Sequence, residues 1–338
     1  MANRAHVVFK ANDRSYFAIL KKEIHQLAVA AGFDEKKVGE IDIVVAEMVS
    51  NLVKHAGGGE VWAGIVKDDG IDALELISVD GGAGITDISR MMVDGVSTKN
   101  TLGHGLGAMK RLSDVFQLYS LKDWGTVLLV RILKEPKPLF IKPLKMEIRS
   151  LLLPKPGEVE CGDGFYYTNN SHHLKLFIGD GLGHGKEAAR AVEKAGDAFL
   201  NCPETGPADI IRFINTEVKK TRGLVGTVMV FDWKKAQWHT CGVGNIYTRF
   251  ISPVQTRNYM PYNGIIGLNV PRSLNVQVVD YESGQVLLAA SDGLKSKLDT
   301  QKYSSIWRYD LSVLTAALIK DFGRFTDDSS VAACKINI

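Results

Sequence analysis

The stretch Leu174–Gly185, Leu-Lys-Leu-Phe-Ile-Gly-Asp-Gly-Leu-Gly-His-Gly, most constrains what this chain can fold into. It alternates and then turns wholly apolar, which predicts a strand with at least one buried face. Asp180 ends that strand, and glycines follow at 181, 183 and 185. A strand end fixes a carboxylate while glycines let backbone oxygens come close, an arrangement suited to a hard metal ion. Three more aspartates have similar settings. Asp163 lies in Cys-Gly-Asp-Gly before Phe165-Tyr-Tyr-Thr, Asp292 ends Val286-Leu-Leu-Ala-Ala-Ser-Asp-Gly, and Asp327 precedes the final strand from Val331. Taken singly, each Asp-Gly is also ordinary turn chemistry. Taken together, the four can share one two-metal site.

A chain of 338 residues has length for two domains, and proline marks where they divide. Of 10 prolines none precedes Pro136, and five fall at 136, 138, 143, 154 and 156. Residues 135–144 are therefore expected to be a stiff, exposed linker between domains 1–134 and 145–338. A net charge of +3 without a dense basic run argues against a nucleic-acid partner. The tightest basic cluster, Lys219, Lys220 and Arg222, reads as a solvated helix end. No apolar run approaches a membrane span, and Arg131 interrupts the best one, Val127–Leu133. Cys161, Cys202, Cys241 and Cys334 form no Cys-x-x-Cys pair, and no secretion signal is evident. Reduced thiols in a cytoplasmic protein are the expectation.

In the second half, strands, two helices (His184–Leu200 and Ala208–Thr221), more strands and a late helix near Leu311–Lys320 suit two sheets packed face to face under helices. The segments Gly162-Asp163, Gly179–Gly185, Gly226–Phe231, Cys241–Asn245, Ser291–Gly293 and Asp327–Ser330 occur in one order over residues 145–338. In that order they resemble the sporulation-stage-II branch of the metal-dependent type-2C protein phosphatases, the branch that includes RsbX. The resemblance implies an αββα sandwich that hydrolyses phosphoserine or phosphothreonine with two Mn²⁺ or Mg²⁺ ions. It makes Asp180 the bridging ligand, the Gly181 carbonyl its neighbour, and Asp163, Asp292 and Asp327 the remaining ligands, with Asp328 behind them. Oxygen ligands without histidine or thiolate select Mg²⁺ or Mn²⁺ over zinc. His184 is a candidate proton donor to the leaving serine, two residues later than the histidine of the broader pattern. No arginine is matched to phosphate binding.

In the first half, apolar spacings of three and four predict helices over residues 15–31 and 35–55. Glu47, Asn51 and His55 lie four apart along one edge of the second. His25, on the first, reads as a surface histidine. The alternating run Leu74–Val79 predicts a strand ending in Asp80-Gly-Gly-Ala-Gly84. Gly103-His-Gly-Leu-Gly107 leads into a helix, whose amides can face phosphates. Gly125-Thr126 starts another strand. Neither a P-loop nor a dinucleotide fingerprint fits.

In this order the pieces resemble the GHKL nucleotide-binding family, most closely its RsbT-like anti-sigma serine-kinase branch. The resemblance implies an α/β sandwich, a mixed sheet covered by helices, that binds ATP with Mg²⁺. Asn51 would ligate the magnesium and Glu47 act as general base. Asp80 would read adenine within a pocket formed with Gly82, Gly84 and Thr126. Amides at Gly103, Gly105, Leu106 and Gly107 would hold phosphates. The two resemblances together imply an α+β, two-domain regulator acting on STAS-type anti-sigma antagonists in a bacterial partner-switching pathway, without nucleic-acid or membrane partners, and in which an oligomer is an open option. The alternative keeps the first domain as a nucleotide- or STAS-binding module that controls the phosphatase without kinase activity.

Overall fold

A computed structural model describes residues 2–3, 5–12, 15–88, 105–138 and 145–338. The chain forms two compact units, one of residues His6–Pro143 with Tyr303–Ala317, the other of Met1–Ala5, Leu144–Lys302 and Leu318–Ile338. The units are not sequential blocks, however, because a short strand β1 (Ala2–Asn3) and segment 303–317 each group with the other unit. Nor is the start of the linker a free connector, since Lys137 Nζ pairs with Asp68 at 3.0 Å and Asp69 at 2.9 Å.

The first unit has a five-stranded sheet of β2 (Val7–Lys10), β3 (Glu60–Asp68), β4 (Ile71–Val79), β5 (Val115–Leu121) and β6 (Gly125–Leu133), in the order β2-β3-β4-β6-β5. The sheet expected to be mixed is antiparallel in every described pair. The reason is that β5 and β6 form a hairpin, and β6 returns against β4. Helices α1 (Ser15–Ala30) and α2 (Glu35–Asn51) cover one face, with Asp34 capping α2 through the Lys37 amide at 2.8 Å. Leu20, Ile24, Ile41, Val45 and Met48 meet Leu74, Leu76, Val130 and Ile132 in this core.

The register explains why both strand faces are buried. Residues 74 and 76 face the helices, so by the two-residue period 73, 75 and 77 face away, yet these are buried too. Segment 303–317 lies on that second face. The Asp310 amide donates to Gln117 Oε1 at 2.7 Å, and Tyr309 stands edge-on to Tyr119.

In the other unit, one sheet runs β1-β8-β9-β10-β11-β14 and a second runs β13-β12-β15-β16-β7. The first holds β8 (Asp163–Asn169), β9 (His173–Gly181), β10 (Leu224–Asp232), β11 (Gln237–Val243) and β14 (Gln277–Asp280). The second holds β7 (Met146–Leu153), β12 (Tyr247–Ile251), β13 (Thr256–Tyr259), β15 (Val286–Ala290) and β16 (Ser329–Ile336). Phe165, Leu176, Ile178 and Phe231 of one sheet share a core with Leu152, Phe250, Leu287 and Ala332 of the other. The outer face of the longer sheet packs under α4 (Lys186–Asn201) and α5 (Pro207–Glu217), after α3 (Gly105–Arg111) of the first unit, through Phe199, Ile211 and Ile214. The late helix is α6 (Leu311–Phe322).

Candidate functional site

The aspartates of the second unit come from one end of both sheets. Asp163 starts β8 and is the direct register partner of Asp180 near the end of β9. On the facing sheet, Asp292 follows β15 and Asp327 precedes β16, and those strands are paired from Ala290 and Val331 onward. Asp180, Gly181, Leu182, Gly183, Asn245, Asn263, Asp292 and Asp327 line one cavity of about 340 Å³. Asp163 lies behind its wall, 6% exposed, and accepts a 2.6 Å hydrogen bond from Ser291 Oγ of the facing sheet. The Ser330 amide in turn donates to Ser291 Oγ at 3.1 Å, which fixes the link between sheets.

Electrostatics make this end of the unit a strained place for negative charge. Burial raises the Asp180 carboxyl well above the usual range, and the charges of Asp163, Asp292, Asp327 and Asp328 raise it further. Asp163 rises for the same first reason, with the Ser291 hydrogen bond opposing. The cavity wall itself carries no lysine, arginine or histidine among the described residues.

In the first unit, α2 ends at Asn51 and continues as one π-helical turn, Leu52–Ala56. That turn breaks the four-residue strip, so exposed His55 does not continue the line of Glu47 and Asn51. Gly105, the first residue of α3, is set directly against that line. A Cβ there would stand 2.6 Å from Glu47 Oε2 and 3.8 Å from Asn51 Oδ1. Asp80 leaves β4 and organises the loops beside it, since its Oδ1 accepts from the Gly82 amide at 2.9 Å and the Thr126 amide at 3.2 Å. Gly84 (φ 74°) and Gly125 (φ 106°) adopt the left-handed region, and a Cβ on either would lie about 2 Å from a backbone oxygen, of Leu121 and Asp80 respectively.

Each constellation falls in a part of the chain that matches a known family. Residues 9–132 match the histidine kinase-like ATPase domain, and residues 170–335 match stage II sporulation protein E. The serine/threonine-protein kinase RsbT of Bacillus subtilis (strain 168) is 38% identical over 30% of this chain and 75% of its own length. The chain belongs to the histidine kinase-like ATPase family and carries a SpoIIE-type phosphatase domain behind it. The phosphoserine phosphatase RsbX of the same organism is 27% identical over 42% of this chain and 71% of its own. A crystal structure of RsbX in complex with magnesium shares the fold of the second unit, with a TM-score of 0.51 and 22% identity, covering 58% of this chain and 98% of that one.

Within the SpoIIE-type domain, the expected ligands thus fall into one neighbourhood, Asp180, Gly181, Asp292 and Asp327 on the cavity wall and Asp163 behind it. Asp328 is buried behind them, takes the Lys155 amide on Oδ1 at 2.9 Å, and its charge acts on Asp163 and Asp180. His184 is not on the wall; its Nδ1 lies 2.8 Å from Glu158 Oε1 at an exposed position. The donor set is one of hard oxygens, which fits Mg²⁺ or Mn²⁺ and relieves the crowded negative charge. Among the described residues, no three histidine, cysteine or acidic side chains already close on one point at ligand spacing.

Within the ATPase domain, Glu47, Asn51, Gly105, Leu106 and Gly107 meet where α2 packs on α3, and Asp80, Gly82, Gly84 and Thr126 meet at the β4 and β6 loops. Gly103 lies outside the described residues. His25 pairs with Asp42 at 3.2 Å on the surface. Reading the sequence did not single out Ser291, Asn263 or the role of Asn245, whose Nδ2 donates to Asp292 Oδ2 at 2.9 Å. Asn245 and Ser291 stood in matched segments without a role assigned, while Asn263 becomes visible only once the strands and loops are assembled around the cavity. Among the described residues no helix is long and apolar enough to cross a membrane.

Proposed function

We propose that this chain regulates a partner-switching pathway by removing phosphate from serine or threonine of a STAS-type anti-sigma antagonist, and by adding it from ATP. One observation carries the phosphatase half: three aspartates from two facing sheets line a single cavity, with Asp163 paired to Asp180 behind its wall. Asp180, Asp292 and Asp327 with the Gly181 carbonyl would hold two divalent cations, with Asp163 as the buried reserve ligand. Such cations supply Lewis acidity to a phosphoryl group and acidify water. The chain's own residues orient these donors, Asn245 by holding Asp292 and Ser291 by holding Asp163. The magnesium in the RsbX structure supports this reading.

The test is Asp180→Asn with Mn²⁺ and a phosphorylated STAS protein. Loss of hydrolysis is expected, and retained hydrolysis overturns the site.

In the ATPase domain, Asn51 would hold Mg²⁺ against the phosphates of ATP, Asp80 would read adenine, and Glu47 would take the proton of the attacking hydroxyl. The close seat of Gly105 on Glu47 favours a second reading, in which that carboxylate only packs against backbone and the domain binds nucleotide or a STAS protein to control the phosphatase. Radiolabelled ATP decides between them. Label transfer lost in Glu47→Ala means a kinase, and nucleotide binding without transfer means a module.

A further inference from the structure

The cavity offers a dianionic phosphate only acidic and neutral side chains from its wall, so, beyond divalent cations held there, a fixed positive charge can come only from its rim. Arg222 is placed to supply it. The pairing of β9 with β10, Gly181 with Leu224 and the Leu182 amide with the Gly223 carbonyl at 3.2 Å, carries Arg222 across from Gly183. Its Nη1 leans on the Leu182 carbonyl at 3.4 Å, and Leu182 and Gly183 both form the wall. Nη1 lies beside Gly183, 3.0 Å from where a Cβ on that residue would stand.

The backbone at Arg222 is held on both sides. Thr221 Oγ1 donates to the Val218 carbonyl at 2.7 Å and accepts from the Gly223 amide at 3.1 Å. Gly223, at φ 83°, is walled in by Ile265 and the Ile266 carbonyl. The guanidinium is exposed, and no ion pair with a described acidic residue ties it down. An arginine held at an acidic mouth, with most of its donors unused, is built for an anion it does not yet hold.

We infer that Arg222 binds the phosphoryl oxygens of the substrate at the cavity rim, a substrate-binding residue that the wall itself lacks. The inference rests on the phosphatase reading of the cavity. Its fork suits two phosphoryl oxygens at once, and its charge draws phosphorylated segments toward an otherwise acidic mouth.

The experiment compares the full chain, Arg222→Ala and Arg222→Lys, all with Mn²⁺. It measures inorganic phosphate binding by calorimetry, KM and kcat on a phosphoserine peptide, and Mn²⁺ affinity. Arg222→Ala is expected to weaken phosphate binding and raise KM by about 10-fold each, as for loss of a charge-assisted hydrogen bond, with Mn²⁺ affinity unchanged. Arg222→Lys should recover part of both. Three results overturn the inference: phosphate binding unchanged in Arg222→Ala, a higher KM with phosphate binding intact (contact with an acidic side chain of the peptide instead), or a parallel loss of Mn²⁺ affinity. If the wild type cleaves no phosphopeptide, the phosphatase reading fails, while the phosphate-binding comparison still decides the role of Arg222.

Discussion

Replacing Asp310 by alanine should open the ATPase domain, although Asp310 lies about 180 residues beyond Arg131 in the sequence. Arg131 is fully buried on β6 and gives both terminal nitrogens to Asp310, at 2.6 and 2.7 Å. Its Nε goes to Glu75 at 2.6 Å, and Ser312 Oγ bridges Arg131 and Glu75. Asp310 also caps the helix that follows, accepting from the Ser312 amide at 2.8 Å. Stripping one partner from a buried ion pair costs about 3–5 kcal/mol, and losing a cap about 1 kcal/mol. Glu75 stays on Arg131 and offsets part of the first loss, so the net is about 3 kcal/mol. At about 1.4 kcal/mol per factor of ten, amides of β6 and β4 should exchange roughly 100-fold faster in peptide-resolved hydrogen exchange. Asp310→Asn keeps the cap and one acceptor, and should lose about 1–2 kcal/mol. If exchange over residues 125–133 stays within about threefold of wild type in Asp310→Ala, segment 303–317 does not complete this domain and the reasoning fails.

Three further outcomes are expected. Burial raises the Glu75 carboxyl, but the Arg131 guanidinium and His6 outweigh that and hold it well below the usual carboxylate range. The unfolded state therefore takes up this proton first, so the domain should lose stability as pH falls from about 4.5 toward 2, more steeply than Glu75→Gln in denaturant titrations across that window. Asn245→Ala frees Asp292 from its 2.9 Å hydrogen bond and should weaken Mn²⁺ binding by about 10-fold in calorimetry, the usual effect of removing a residue that steers a ligand; unchanged affinity would remove Asn245 from the site. Gly125→Ala puts a Cβ 2.1 Å from the Asp80 carbonyl and should cost the ATPase domain about 2 kcal/mol or more, with loss of ATP binding measured by fluorescent-nucleotide titration.

Much of the site was legible because its signals are local. A run that ends in Asp-Gly names both the strand and the carboxylate at its end, so Asp163, Asp180, Asp292 and Asp327 stood out before any coordinates. Helix α2 was equally plain from its apolar spacing, but the π-helical turn after Asn51 was not, because one extra residue per turn leaves no mark on composition. Arg131 was misread most instructively. In the sequence it served only to interrupt an apolar run, whereas in the fold it is a buried hub joining Glu75 and Asp310.

The amino-acid order by itself determined the two kinds of domain, the strands and helices that build them and the acidic and glycine residues that mark their sites, since each of these follows from neighbours a few positions apart. Tertiary structure alone decided that residues 303–317 complete the first unit, that Ser291 ties Asp163 across two sheets, and that Arg222 stands at the cavity rim. Contacts between residues more than a hundred positions apart have no period to read; they exist only where packing and charge compensation bring distant segments together.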